Sequence, residues 1–174
     1  MEPTQTEDDD NLLKDRLHSA FDEQIPNFGG YNLVYATGDS GAGGTYVLGF
    51  RSQPLELVVA PVDPRTHEAL EPATSIDLTN VSHLAQLREA GYEFALSTGR
   101  VFRFDVAPTP TLLLEDVTGR RAVQLRQEND SLEFHAFLDG FMDALDRLEE
   151  AAEEGAAQLE AAAARTPGAH AARA

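Results

Sequence analysis

Apolar residues recur along the chain with two different periods, and these periods separate helical from extended segments. From Asp10 onward the spacing is helical, which predicts a helix that ends before Pro26. Residues 31–62 then contain three apolar runs of strand length, separated by the glycine-rich stretch Gly38–Gly44 and by Pro54, and therefore predict three strands. The third run, LELVVAPV, is apolar at both alternating sets of positions, as expected of a strand that is covered on both faces.

The middle of the chain predicts a surface excursion, a second helix and two hairpins. Residues 63–77 are rich in proline and predict the excursion. Residues 79–91 begin with Thr and Asn, which can cap a helix, continue with apolar residues at helical spacing and end in Gly. Residues 92–106 and 111–127 each contain two alternating runs around a glycine-containing turn, which is typical of hairpins.

The last helix has the most regular pattern. Asp130, followed three residues later by Glu133, resembles a capping box. The apolar residues beyond this pair keep the 3.6-residue period: Phe134, Phe137, Leu138, Phe141, Met142, Leu145 and Leu148. Residues 151–174 are rich in Ala and Glu and then lose any pattern, which predicts a helical extension followed by a disordered tail.

These elements together predict an α+β fold. We expect an antiparallel sheet of about six or seven strands, built from a three-strand amino-terminal part and two hairpins. Helices are expected to pack on one face of this sheet, and the long amphipathic carboxy-terminal helix is expected to be the main one. The predicted organisation is a disordered acidic arm over residues 1–9, a single domain over residues 10–150, and the Ala/Glu extension and tail over residues 151–174.

Composition narrows the classes of protein that the chain can be. Its 174 residues are 42% hydrophobic, which is enough for one packed core. The chain has no cysteine, so disulfides and cysteine-based metal sites are excluded. No apolar run approaches the roughly 18 residues of a membrane-spanning helix, and the first ten residues are acidic, unlike a secretory signal. We therefore expect a soluble, cytoplasmic protein.

The formal net charge of −17 changes the expected partners. Residues 11–148 carry 20 acidic against 11 basic side chains, so the charge is not confined to the ends of the chain. An acidic surface repels phosphate backbones and anionic lipids, which disfavours nucleic-acid and membrane partners. Lys14 is the only lysine beside 12 arginines, a bias that either high-GC codon usage or a salt-adapted cytoplasm would produce.

One glycine-rich stretch contains residue types used in catalysis or phosphate binding. Gly38-Asp39-Ser40-Gly41 has the letters that surround the nucleophile of chymotrypsin-like proteases. Those enzymes place a catalytic histidine and aspartate before this motif, whereas the only histidine before it here, His18, lies on the predicted amphipathic helix with no motif around it. A phosphate-binding loop would lie between a strand and a helix and would contain a lysine. A glycine-rich hairpin loop accounts for the letters, so we predict no catalytic residue and no cofactor.

His135, Asp139 and Asp143 share one helix face at four-residue steps and could together hold a divalent cation weakly. A tight site would also need ligands from another element and an ordered second shell. Acidic residues opposite an apolar face are the ordinary solvated side of a helix, so no metal site is predicted.

Asp139, Asp143 and Asp146 form a row of like charge, continued by Glu150 and relieved in part by Arg147. Such a row either faces solvent or meets a basic partner. The three aspartates are therefore our candidate partner-binding surface.

For function, the sequence favours a non-enzymatic protein-binding or assembly module, such as an adaptor, a chaperone-like factor or an immunity-type inhibitor. Two alternatives stay open: a structural component of a larger particle, with the Ala/Glu tail docking on a neighbour, and an enzyme with an unfamiliar active site. The expected partner is another protein, for which a basic surface is one option, and self-association stays open.

Overall fold

The computed structural model describes residues 4–26, 30–38 and 44–164, with side chains from residue 7 onward. The chain divides into two units, residues 1–138 and residues 139–174. Over the described residues it forms two helices and nine strands, in the order α1 (Thr4–Gln24), β1 (Asn32–Gly38), β2 (Thr45–Ser52), β3 (Leu55–Val62), β4 (Thr74–Ile76), β5 (Val81–Gln86), β6 (Gly91–Leu96), β7 (Val101–Asp105), β8 (Thr111–Asp116), β9 (Gly119–Gln124) and α2 (Glu128–Ala164).

The strands confirm the predicted α+β class and the antiparallel arrangement. Seven of them form one sheet in the order β4-β3-β2-β1-β7-β6-β5, while β8 and β9 pair in a second sheet. Within the large sheet, strands that follow one another along the chain pair with each other, apart from β4 and β5, which are its outer strands. The remaining pair joins β1 to β7 through Thr37 with Asp105 and Gly38 with Phe104.

The prediction that the helices pack on one face of the sheet is not confirmed. In β2, a Cβ atom on Gly49 would lie 2.3 Å from Cζ of Phe21 in α1, so α1 covers this side closely. The next residue, Phe50, points to the other side because strand side chains alternate. There its ring lies 5.3 Å from the rings of Phe134 and Phe137 in α2. This two-sided cover explains why β2 and β3 contain continuous buried runs.

The first helix begins at Thr4, whereas the sequence predicted a start at Asp10 and a disordered arm before it. Residues 1–3 lie outside the described part, but Asp9 and Asp10 are both helical and bonded to distant residues. The Arg121 guanidinium donates to the Asp9 carboxylate, with Nε to Oδ2 at 3.0 Å, and the Arg126 amide donates to Asp10 Oδ1 at 2.7 Å. The acidic residues are held by groups that local periodicity could not reveal.

The predicted helix over residues 79–91 is wrong, because this segment contains β5 and its hairpin turn to β6. Asn80 does cap backbone groups, but the groups belong to a turn. Its Oδ1 accepts the Asp77 amide at 2.9 Å, and its Nδ2 donates to the Ser75 carbonyl at 2.8 Å. Pairing with β6 then satisfies the backbone of β5, and tertiary pairing outweighs a weak helical pattern.

The remaining elements follow the prediction with shifted ends. The hairpins β6–β7 and β8–β9 are both present, and Gly119 closes the second turn with a positive φ of 132°. The predicted excursion over residues 63–77 contains β4, which pairs with β3. Helix α2 begins at Glu128, before the predicted cap at Asp130, and continues to Ala164. The tail predicted to be disordered lies, from residue 165 onward, outside the described residues.

Candidate functional site

The three aspartates of the predicted surface lie on the second unit. Asp139, Asp143 and Asp146 are all exposed on α2, and their spacing of four and three residues places them on one face. Arg147 donates from Nε to the backbone carbonyl of Asp143 at 3.2 Å, so its bond is not to a carboxylate. Within the described part of the chain, none of the three carboxylates has a salt bridge, and the row keeps its full charge.

Another face of α2 carries a second pattern, which we call the α2 seam. Apolar and small residues alternate there at steps of four and three: Phe134, Leu138, Phe141, Leu145, Leu148, Ala152, Gly155 and Leu159. The first three are buried, whereas Leu148 is 49% and Leu159 is 73% exposed. This alternation is the spacing by which helices pack against each other in coiled coils. The exposed half of the seam therefore has the form of a helix-packing surface.

The apolar period in the sequence predicts the seam only as far as Leu148. Ala152 and Gly155 occupy the next two positions. They are too small to stand out as apolar residues in the sequence, but small residues let a second helix approach closely. Between residues 148 and 164 the chain has five glutamates and no basic residue. The charged side of the exposed seam is thus uniformly acidic.

His135, one of the three candidate cation ligands, is engaged elsewhere. Its Nδ1 lies 2.6 Å from the hydroxyl of Tyr92 on β6, and the two atoms share a hydrogen bond. Asp139 and Asp143, which follow it at four-residue steps, are exposed. Among the described residues, no group of three or more histidine, aspartate or glutamate side chains is arranged to hold a metal ion.

The glycine-rich motif is described only at its ends. Asp39, Ser40 and Gly41 lie outside the described residues, while the Gly38 amide donates to the Gly44 carbonyl across the base of the loop. This bond continues the pairing of β1 with β2 and fits the hairpin interpretation of the segment. His18, the histidine that precedes the motif in the sequence, is exposed on α1.

A cleft that was not predicted belongs to the first unit. It has a volume of about 560 Å³, and we call it the α1 cleft. It is lined by α1 at Asp15, Arg16, Ser19, Ala20 and Glu23, by the turn Arg65–Glu68, and by Glu115 of β8. The four carboxylates outnumber the two guanidinium groups, so the lining is acidic.

Within this cleft, the turn that carries His67 is fixed by Asp63. The Asp63 carboxylate accepts the backbone amides of Arg65 at 2.7 Å and Thr66 at 3.0 Å. The His67 amide then donates to the Asp63 carbonyl at 2.8 Å, and His67 takes a φ of 61°. Glycine or asparagine is the usual residue in this left-handed conformation, and other side chains hold it at a cost.

The side chain of His67 is also unusual. It is 2% exposed, and neither of its buried ring nitrogens makes a hydrogen bond of good geometry among the described residues, the Leu113 backbone being at most a weak partner. Burial first, and then the charge of Arg16, lower the pKa of His67; the Asp63 carboxylate and the Leu113 backbone oppose this shift without reversing it. The imidazole is thus held neutral in an acidic cleft.

No local signal in the sequence identifies His67. Asp63 followed by Pro64 indicates a turn, and connecting segments usually run over the surface. The segment folds back on β3, with the Leu70 amide donating to the Pro61 carbonyl at 3.0 Å, and α1 lines the same cleft as the turn. Both contacts are tertiary.

Comparison of the chain with protein-family models, with curated protein sequences and with solved structures found no match. Across the described residues, neither helix combines the length and hydropathy needed to cross a membrane. The functional assignment therefore depends on the geometry of the two surfaces.

Proposed function

We propose that the protein is a non-enzymatic binding module that holds a helix of a basic partner protein on the exposed half of α2. The observation that carries this proposal is the continuation of the α2 seam past Phe141 onto exposed helix, with carboxylates along its other side. A helix that displays an ordered apolar row to water is typical of a surface that packs against another helix. We also propose a cytoplasmic location, as the composition predicts.

The chemistry of the partner follows from charge. Five glutamates lie between residues 148 and 164, and Asp139, Asp143 and Asp146 extend the acidic face toward the start of the unit. A second copy of the chain would bring two such faces together, and like charges along adjacent helices repel. A partner helix with lysine or arginine beside its apolar row would instead be attracted by the carboxylates of α2. The favoured occupant is therefore a basic amphipathic helix.

The arrangement of candidate catalytic groups supports a non-enzymatic role. His135, which was considered only as a cation ligand, is hydrogen-bonded to Tyr92, and a hairpin loop between β1 and β2 accounts for the glycine-rich stretch. The exposed seam offers shape and charge rather than an acid, a base and a nucleophile in mutual reach, as catalysis would need.

A synthetic amphipathic helix tests the proposal directly. The probe carries Leu and Ala at alternating steps of three and four residues and Lys on both flanks, and fluorescence anisotropy measures its binding to the full chain. We expect binding that is lost in Leu148→Glu/Leu159→Glu and kept in Leu113→Glu/Leu132→Glu, which makes the same charge change at exposed leucines off the exposed seam. Equal binding of a matched probe with Glu in place of Lys would overturn the charge argument.

The aspartate row is tested by charge reversal. Asp139→Lys/Asp143→Lys/Asp146→Lys should slow association with the Lys-flanked probe much more than it speeds dissociation, because exposed charges act mainly on encounter. Binding of the unmodified chain should weaken between about 0.05 and 0.5 M salt, where the Debye length falls from about 14 to 4 Å. An unchanged association rate would show that the row is only a solvated face.

The second candidate, a structural component of a larger particle, uses the same exposed helix. Pull-down with the full chain and with Leu148→Glu/Leu159→Glu as baits, followed by the mass of the complex in solution, separates the two. A defined complex of small stoichiometry supports the binding module, whereas a large assembly with many copies supports the structural component. Self-association of the purified chain would exclude the basic helix as the main occupant.

A further inference from the structure

His67 is a costly residue for a purely structural position. A buried polar group without a hydrogen bond destabilises a protein by roughly 1–3 kcal/mol, and a left-handed backbone at a non-glycine residue adds to this cost. Asparagine would accept the backbone conformation more readily, and its smaller amide would be easier to pair. The imidazole is therefore better explained by a group that it meets than by the stability of the turn.

The lining of the α1 cleft indicates the charge of that group. Arg16 donates from Nη1 to the backbone carbonyl of Glu115 at 2.9 Å, and Nε of Arg65 lies 3.9 Å from the Glu115 carboxylate. Asp15, Glu23 and Glu68 are exposed in the cleft, and none of them has an ion pair within the described residues. Three uncompensated carboxylates attract a cation.

The neutral ring of His67 is compatible with a cation in a way that a protonated ring would not be. A neutral imidazole has one nitrogen with a lone pair, which accepts a hydrogen bond from an N–H group. Charged donors make stronger hydrogen bonds than neutral ones, and buried acceptors gain most from them. Guanidinium and alkylammonium groups are common biological cations that donate N–H hydrogen bonds, and nearby carboxylates balance their charge.

We propose that the α1 cleft is a binding site for a guanidinium or alkylammonium group, with His67 accepting one N–H bond and Asp15, Glu23 and Glu68 supplying the counter-charge. Arg16 and Arg65 frame the cleft through their contacts with Glu115 and leave these three carboxylates unpaired. The site uses residues of the first unit alone and does not depend on the function proposed for α2. Its ligand is either a small amine or a basic side chain of a peptide, which share this chemistry.

Titration of the full chain with agmatine, and separately with a blocked Gly-Arg-Gly peptide, tests the site. Binding is followed by calorimetry and by the NMR signals of the His67 ring, and glutamate is the anionic control. We expect saturable binding of at least one cationic probe with a shift of the His67 signals, and no binding of glutamate. Agmatine alone would identify a small-molecule site, and tighter binding of the peptide would identify a peptide site.

Two variants separate the site from the overall charge of the protein. Asp15→Asn/Glu23→Gln/Glu68→Gln should weaken binding by roughly tenfold or more, because each change removes a charged acceptor. Its matched control, Asp8→Asn/Asp22→Asn/Glu89→Gln, removes the same charge at exposed positions outside the cleft and should bind as the unmodified chain does. All six positions are exposed, so both variants should fold.

His67→Asn keeps a residue that tolerates the left-handed turn and removes the imidazole, and it should also weaken binding by roughly tenfold or more. The proposal is overturned if neither cationic probe shifts the His67 signals, if glutamate binds in their place, or if the triple cleft variant and its control bind equally. Unchanged binding by a folded His67→Asn protein would remove His67 from the site.

Discussion

His67 and Gln127 are both buried polar residues, yet their surroundings differ completely. The ring nitrogens of His67 make no hydrogen bond of good geometry among the described residues. Gln127 is 4% exposed and bonded on every side: its Oε1 accepts the Tyr35 amide at 2.8 Å, and its Nε2 donates to the carbonyls of Tyr35 at 2.9 Å and Ala107 at 2.8 Å. In β1, Thr37 and Gly38 pair with β7, and the Gln127 side chain takes the place of a strand partner at Tyr35. One residue is satisfied and the other is not.

The unsatisfied state of His67 predicts how stability depends on pH. In the unfolded chain a histidine titrates near its ordinary pKa of 6.5, whereas burial lowers the pKa of His67 in the folded protein. Above pH 6.5 the ring is neutral in both states, so the contribution of His67 to the free energy of unfolding no longer changes with pH. Below pH 6.5 the unfolded chain binds the proton first, so the free energy of unfolding falls until the pH passes the lowered pKa.

Urea unfolding between pH 7.5 and about pH 5 measures this dependence, since the carboxylates with lowered pKa values titrate between 3.8 and 4.5 in the unfolded chain and contribute mainly at lower pH. His67→Asn should flatten the decline, and His18→Asn, at an exposed position on α1, should leave it unchanged. A decline of equal slope in His67→Asn would assign the titration to another group.

Gln127→Leu is the corresponding test of the satisfied residue. The change leaves the Tyr35 amide and two carbonyls buried without their partner, so we expect a loss of about 2–4 kcal/mol in the free energy of unfolding. Gln124→Leu, at an exposed position on β9, is the control and should be nearly neutral. A small effect at Gln127 would show that water replaces the amide.

At the scale of elements, the predictions succeeded where the determining chemistry is local. The hairpins β6–β7 and β8–β9 are set by alternating side chains and by glycines in the turns, Gly99 and Gly119, both of which take positive φ values. The incorrect prediction of a helix at β5 has the opposite cause, because tertiary pairing determines the structure there. Its residues Val81, Leu84 and Ala85 fit a helical spacing as well as a strand, and pairing with β6 decides between them.

The candidate surfaces divide in the same way. Asp139, Asp143 and Asp146 lie on one face because a helix fixes their spacing, and this could be predicted from the sequence. The α1 cleft could not, because Arg16, His67 and Glu115 come from three separate parts of the chain and are joined by tertiary contacts alone. The contact of Asp9 with Arg121 spans 112 positions in the sequence and escaped prediction for the same reason.

The packing of α1 on β2 depends on the absence of a side chain at Gly49. A Cβ atom there would lie 2.3 Å from Cζ of Phe21, which is fully buried, so one of the two elements must shift. Gly49→Ala should therefore lower the free energy of unfolding by roughly 1–3 kcal/mol. Gly30→Ala, where a Cβ meets no atom within 4 Å, is the control for the added methyl group.

A double-mutant cycle with Phe21→Leu attributes the effect to this contact. In the Phe21→Leu background the smaller side chain leaves room for the methyl group, so Gly49→Ala should cost less than it does in the unmodified chain. Chemical denaturation of the four proteins gives the coupling energy. Additive effects would mean that Gly49 is required for its backbone and not for the approach of α1.

At the scale of the whole molecule, the net charge of −17 is distributed over both units of the chain. The first unit contains the strands, α1 and the α1 cleft, and its acidic cleft is a site for a small cationic group. The second unit consists, over its described part, of α2 from Asp139 onward, and its charge lies on a helix face with an exposed seam. On the two proposals made above, the carboxylates would act in two separate ways, one at the α1 cleft and one along the α2 helix.

Removing the end of α2 separates stability from binding. A chain that ends at Glu150 loses Ala152, Gly155 and Leu159 of the seam, and nearly all of residues 151–164 are exposed. Because little apolar surface is buried there, we expect the melting temperature to change by no more than about 2 °C, which corresponds to a few tenths of a kcal/mol. The Lys-flanked helix probe should bind much more weakly, since half of the exposed seam is gone.

Differential scanning calorimetry and fluorescence anisotropy on the same preparation measure the melting temperature and the binding of the probe. A loss of many degrees would show that the end of α2 stabilises the fold, and full retention of probe binding would place the partner's surface before Glu150.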